Sequence, residues 1–521
     1  MRQRKSHWKI CALCLAAALL LSGCNINESA PDELPVSSAT PPPLAGDDNG
    51  TFRAALYFKT EDGLRLAAEQ REILRENRQS YAEAAVRALC DGPQSGSLQG
   101  VIPAGLEVSR VELAGNVCNV YLEGRMPQND TQFLAARAAI AATVSQNEGI
   151  QYVDIFVNGI QPGYMGRPLG VAQQPEEMLD TYLANLKQSI AGVEESEVTP
   201  FDSRLVAFYF SDSAKEHLLC DVRTVAYDRS ADLTVVLQTV IEELMAGPLE
   251  SQGRESALPA DMRLTKQEDG RDAIAYQQEI PLAAQDAATP AELLWQSDLP
   301  QGQQIIELYF NTPADDFDET LAFGSIVYTV TGFCPNIGGV RIYLGDQAAS
   351  PDQVGSNAPT GRDYFTREDF QRQIGHTVAL SFPELDGTGL HTVLRCMRQD
   401  EAYDPLKRVQ ELFTGSADPG VAYPGFAQED ILGVYLQGDM AVVNWKAGFL
   451  EKLRATVESN ATLLPENTRE QMILYGVINT LTNFPGIQRV WMLEDGQRIA
   501  DSAKRIYLGN PLLRDPGLML D

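Results

Sequence analysis

Two pairs of side chains in this sequence have the types for thiol–imidazole chemistry. His217 stands three residues before Cys220, and His391 stands five before Cys396. The supply around them is thin. Beyond His7 the chain carries only His217, His376 and His391, which starves any histidine-based catalysis or metal site. No H-E-x-x-H, G-x-S-x-G or P-loop pattern occurs. Gly387-Thr388-Gly389 lacks the third glycine of a dinucleotide loop and reads as a turn. Adjacent acids at Glu194-Glu195, Asp315-Asp316 and Asp318-Glu319 are candidates for paired-carboxylate work or for Ca²⁺. The 315–319 run lacks the spaced oxygen ligands and central glycine of a calcium loop, so a solvated face is expected. The sequence thus assigns no catalytic residue, no metal ligand and no cofactor.

The clearest chemistry is a modification, at Cys24. Residues 1–23 hold Arg2, Arg4, Lys5 and Lys9 and no acid, followed by the apolar run from Ile10 to Leu21 and the small residues Ser22-Gly23. A basic start, a short apolar run and small residues before a cut describe a secretory signal peptide. The run is too short to span a bilayer, which takes about 20 residues. Leu21-Ser22-Gly23-Cys24 resembles the bacterial lipobox, whose cysteine becomes the lipidated first residue of the mature chain. A plain signal peptide cut nearby is the alternative. Residues 24–50, with Pro41-Pro42-Pro43, read as a disordered or partly extended tether. Beyond Cys24 remain Cys90, Cys118, Cys220, Cys334 and Cys396, an odd and sparse set. Buried free thiols are expected, with one disulfide left open as an alternative.

The charge agrees with an exported body. The 521 residues carry 41 Lys+Arg against 71 Asp+Glu, a net −30. That excludes phosphate-backbone binding through clustered cations, and it excludes attachment to anionic lipid through a basic patch. Removing the leader leaves 37 basic against 71 acidic residues, a net −34.

The elements that would position any site occur in a threefold pattern. Each copy opens on an alternating strand: Thr51 to Phe58, Arg204 to Phe210, His376 to Phe382. Tyr57, Phe58, Tyr209 and Phe210 are expected to face core and solvent alternately. Asp62-Gly63 and Asp386-Gly387 mark hairpin turns to a second strand. An amphipathic helix follows. Leu233, Val236, Leu237, Val240, Ile241 and Leu244 fall on one face, Ser80 and Glu83 have the spacing of a capping box, and Asp404-Pro405 supplies an N-cap and a first-turn proline. The helices stop at Gly92, Gly247 and Gly415. Two further strands come next, then a second helix (Phe133 to Val144, Leu321 to Thr331, Glu470 to Thr482) and a closing strand. A polar insertion at about 266–302 interrupts the second copy, and a short helix is expected between copies at 176–190. The unit is ββ-α-ββ-α-β, an α+β layer with helices packed on a mixed sheet.

The opening strand, the Gly-Pro after the first helix (Gly92-Pro93, Gly247-Pro248), the pairs Ile102-Pro103 and Leu258-Pro259, and the closing strand of Val153 to Gly159 resemble the GerMN domain. That domain occurs in bacterial envelope lipoproteins of spore formation and germination. The resemblance implies three tandem domains, at 51–172, 203–346 and 376–510. The third is divergent, with Ser416 where proline is expected. It also implies a non-catalytic, lipid-anchored protein facing outside the cytoplasm. Such a protein docks or scaffolds envelope proteins, for example a sporulation channel or ring complex, and its only site residue is Cys24. The alternative is an extracytoplasmic ligand-binding lipoprotein that holds, for example, cell-wall fragments in clefts between domains. An envelope hydrolase using paired carboxylates is the third reading. Partners would bind at exposed strand edges.

Overall fold

The computed structural model describes residues 50–520 except 64, 77–78, 126–129, 147–148, 164–167, 174–200, 229, 250–252, 267–271, 278–303, 355–360, 456–467, 485 and 504–505. The leader, Cys24, the tether, the 176–190 helix and Glu194-Glu195 lie outside the described residues.

The first unit starts with β1 (Gly50–Thr60) and β2 (Leu66–Arg75), an antiparallel hairpin. Its turn needs Gly63, at φ +70°. Helix α1 (Tyr81–Cys90) is capped by Ser80, whose Oγ accepts from the Glu83 amide at 3.0 Å. The expected capping box is only half built, because the Glu83 carboxylate accepts instead from Arg87 at 2.7 Å, one turn on. Strands β3 (Leu106–Ala114) and β4 (Val117–Gly124) form a second antiparallel pair. Helix α2 (Asp130–Val144) then carries the chain back, and β5 (Tyr152–Val157) runs parallel to β4.

The same order recurs twice. In the second unit β6 (Phe201–Asp212) pairs with β7 (Leu218–Asp228), and α3 (Leu233–Met245) follows. Then β8 (Ile274–Gln277) lies antiparallel to β9 (Gln304–Phe310), and α4 (Glu319–Phe333) leads to β10 (Ile337–Leu344), parallel to β9. In the third unit β11 (Gly375–Pro383) pairs with β12 (Leu390–Arg398), and α5 (Pro405–Leu412) is capped by Asp404. Strands β13 (Ile431–Gln437) and β14 (Met440–Trp445), helix α6 (Arg469–Thr482) and β15 (Arg489–Glu494) complete it. Gly92, Gly247 and Gly415, at φ +85°, +84° and +84°, follow the ends of α1, α3 and α5.

The units do not stand apart. The side chains of the first and third form one continuous hydrophobic core, while the second has its own, to which Ala114, Val117 and Val171 also belong. This explains a departure from the expected strand alternation. Phe58 is buried and Tyr57 half-buried, as expected, but both Tyr209 and Phe210 are 0% exposed. Phe210 faces the core of the second unit, whereas the outward face of β6, which carries Tyr209, is covered by the first unit and by α4.

Candidate functional site

Two features join the units, a buried polar cluster and an open cleft. The cluster centres on Arg367, at the start of the short helix Arg367–Gln373 between the second and third units. Its side chain is 4% exposed. Nε donates to Tyr121 Oη at 2.7 Å, in the first unit, and Nη1 donates to the Tyr328 carbonyl at 2.9 Å, in the second. The guanidinium lies 3.9 Å from the Tyr328 ring centre and 4.3 Å from that of Phe156. A buried charge survives only when it is paired and fully bonded. The counter-charge is Glu112, 4.0 Å from Nη2. The Glu112 carboxylate accepts from Asn119 Nδ2 and Tyr328 Oη, each at 3.0 Å. Beside it, Asp154 accepts from Gln161 Nε2 at 2.7 Å. Burial pushes its carboxyl up to about 6, although Arg367 and the Gln161 bond pull the other way. Sequence patterning missed this cluster, since Glu112, Asn119, Tyr121 and Asp154 are isolated polar residues within apolar strands, Tyr328 sits in the apolar α4 and Gln161 follows β5. Arg367 lies in a segment that reads as linker.

The cleft has a volume of about 1150 Å³ and takes its walls from all three units, with Asn116 from the first, His217 and Arg254 from the second, and His376, Leu394 and Arg408 from the third. Burial, with Arg408 adding, pushes the His376 imidazole down to about 3.

The two candidate thiol–imidazole pairs do not form, in line with the reading of these positions as ordinary strand residues. Cys220 is fully buried in the second core, whereas His217 turns toward the cleft. His391 lies opposite Phe382 on β12 and Cys396 opposite Thr377, five residues apart and on opposite faces. The structure instead brings His217 to Cys396, across two units, with Asp212 beside them. Burial, with Asp212 and Glu216 adding, pushes the Cys396 thiol up to about 12. All five described cysteines are free, with Cys118, Cys220 and Cys334 buried.

The other candidates have structural roles. Asp318 caps α4, its carboxylate accepting from the Thr320 and Leu321 amides at 2.9 and 3.1 Å, while Asp315 and Asp316 are exposed. Asp386 accepts from the Thr388 amide at 2.9 Å, closing the 386–389 hairpin turn. Among the described residues no helix is long and apolar enough to cross a membrane. Among the described residues β2 pairs on one side only, and β7 and β12 are bridged on their outer side only at their first residues, Leu218 to Ile374 and Leu390 to Met519, so each opening hairpin leaves most of one strand edge.

The model of the Germane family, described as sporulation and spore germination, matches residues 55–162 and 382–500. Two segments of the chain thus match the Germane family. They are the first and third units, so the unit expected to be most divergent is one of the two that the family covers. The second unit, with the same element order, lies outside the match. Residues 278–303 separate its β8 from β9. Germane, or GerMN, domains are linked to sporulation and germination, and the family is not known as catalytic. The tandem GerMN domains of the sporulation protein GerM from Bacillus subtilis are similar over 61% of this chain and 98% of that one, at 17% identity and a TM-score of 0.21. The first GerMN domain of that protein is similar over 21% and 85%, at 19% identity and a TM-score of 0.17. A Clostridium perfringens protein, named provisionally as a lipoprotein, is similar over 23% and 89%, at 24% identity and a TM-score of 0.15. No curated protein matches.

Proposed function

We propose that this protein is a lipid-anchored scaffold of the cell envelope that works in sporulation or germination by docking other envelope proteins, without turnover. The observation that carries the reading is the pair of segments that match the Germane family, at 55–162 and 382–500, packed on one continuous core. Such a body presents strand edges in a fixed arrangement, and an edge can take up a partner's strand through main-chain hydrogen bonds. Exposed Leu74 on β2 and Leu394 on β12 add apolar contact area beside two of those edges. Acylated Cys24 holds the body at the outer face of the membrane. The net charge of −34 left once the leader is removed supports repulsion from anionic envelope polymers rather than adhesion to them.

Two experiments test this. Cys24→Ala should release the protein from the membrane fraction, and unchanged retention removes the anchor. Photo-crosslinkers at Gln70 on β2 and Leu394 on β12 should trap envelope proteins in sporulating cells, while one at exposed Gln238 on α3 should not. Equal capture at all three positions, or none, sinks the docking reading.

A further inference from the structure

We propose that Asp212, His217 and Cys396 bind a divalent transition-metal ion, of which Zn²⁺ is the natural case, and that this ion fastens the second unit to the third. One ligand atom from each residue lies within 4.8 Å of the others. Zinc binds sulfur at about 2.3 Å and histidine nitrogen or carboxylate oxygen at about 2.0–2.2 Å, so tetrahedral ligand atoms stand roughly 3–4 Å apart. Small side-chain adjustments close the remaining gap. The mix of thiolate, imidazole and carboxylate suits zinc and its neighbours rather than Mg²⁺ or Ca²⁺.

The site is built before the metal arrives. Asp212 Oδ1 accepts from the amides of Glu216 and His217, at 2.8 and 2.9 Å, which fixes the carboxylate and leaves Oδ2 toward His217. His217 Nδ1 is buried and has no hydrogen-bond partner among the described residues; its distance to Asp212 Oδ2 is 3.6 Å. A buried nitrogen that stands 3.6 Å from a fixed carboxylate oxygen, beyond hydrogen-bond reach, leaves a place for a third atom bonded to both. Cys396 comes from the other side. A parallel bridge between Leu218 and Ile374 registers the start of β7 against the start of β11, and β11 holds β12. At the meeting point stands Gly375. A Cβ there would lie 2.8 Å from His217 Cβ and overlap Cys396 Sγ, so only glycine lets the imidazole and the thiol approach. The fourth position opens to the cleft and takes water. On binding, the Cys396 S–H bond breaks, its proton passes to solvent, and the sulfur lone pair forms the bond to the metal; no oxidant or reductant is needed.

The test is a Co²⁺ titration of the full, metal-free chain. One equivalent should produce a thiolate-to-cobalt charge-transfer band, and Zn²⁺ should displace it. Cys396→Ser should abolish the band. His217→Gln should weaken Zn²⁺ binding beyond the roughly 10–100-fold that outer-shell changes cause. Cys90→Ser should leave both unchanged. Zn²⁺ should also slow amide exchange at β7 and β12 in the parent and not in either ligand variant. A chain that shows no band, or a band that survives Cys396→Ser in a folded protein, overturns the proposal.

Discussion

Arg367 Nε, in the segment between the second and third units, donates to Tyr121 Oη of the first unit at 2.7 Å, although the two residues lie 246 positions apart. That bond is the visible part of a clamp in which one guanidinium serves the first unit, the second unit and the segment leading to the third. Removing it leaves Glu112, 1% exposed, without its cation. Arg367→Met should therefore destabilise the fold by about 3–5 kcal/mol, the range for breaking one side of a buried ion pair. Tyr209→Phe removes the hydroxyl that accepts from Asn119 Nδ2 at 3.0 Å and should cost about 1–3 kcal/mol. Because Arg367 Nη2 also reaches Tyr209 Oη at 3.4 Å, the two effects should be less than additive in a denaturant double-mutant cycle.

Asp154 gives the fold a pH signature. Its carboxyl titrates near 6 when folded against an ordinary value of 3.8, so between those values the folded state binds the extra proton. The stability this proton brings is fully present below pH 3.8 and is lost as pH rises through 6. The shift corresponds to about 3 kcal/mol. Asp154→Asn should remove that slope, so that the variant gains stability over the parent between pH 4 and 7 and loses the gain in acid. Denaturant midpoints across this range check it, and parallel curves refute it.

Gly486 sits at φ +84°, just before β15, and a Cβ on it would run into Tyr81 Oη of the first unit. Gly486→Ala combines left-handed backbone strain with a clash and should cost more than about 1 kcal/mol. The loss should appear as faster amide exchange in α1, in the other unit, as well as near β15. Changes confined to the third unit would show that the shared core does not transmit the strain.

The buried thiols should be inert. Burial pushes Cys118 and Cys220 well above the ordinary thiol range, and a thiol that does not ionise does not react. Native chain treated with a thiol reagent should leave both unmodified until denaturant is added. Prompt labelling of either would mean that the core opens locally.

The recurring order of elements was legible because it is written in short-range signals, such as hairpin Asp-Gly pairs, N-caps and helix-stopping glycines. Those signals act within a few residues and say nothing about which unit packs on which. The capping box at Ser80 failed in part because Glu83 found a stronger partner in Arg87. The alternation rule failed at Tyr209 because a strand face that looks outward within its own unit becomes inward when another unit covers it. The histidine–cysteine pairs were only candidates by residue type, and neither forms. Proximity along the chain suggested Cys220 for His217, but strand pleating sends those two side chains apart, and the true neighbour comes from the third unit.

The single core shared by the first and third units sets a timetable for folding. Tyr81 and Phe484 rings stand 6.5 Å apart, and Arg75 lies over both, at 5.1 and 5.5 Å. About 400 residues separate those partners along the chain. At synthesis rates of roughly 5–20 residues per second, the first unit waits about 20–80 seconds before the last helix exists to cover it. During that wait its apolar surface is open to other chains. A deletion that removes the third unit would make that state permanent. The first unit therefore depends on the third for a closed core, and forms that lack the third unit should be recovered as aggregates.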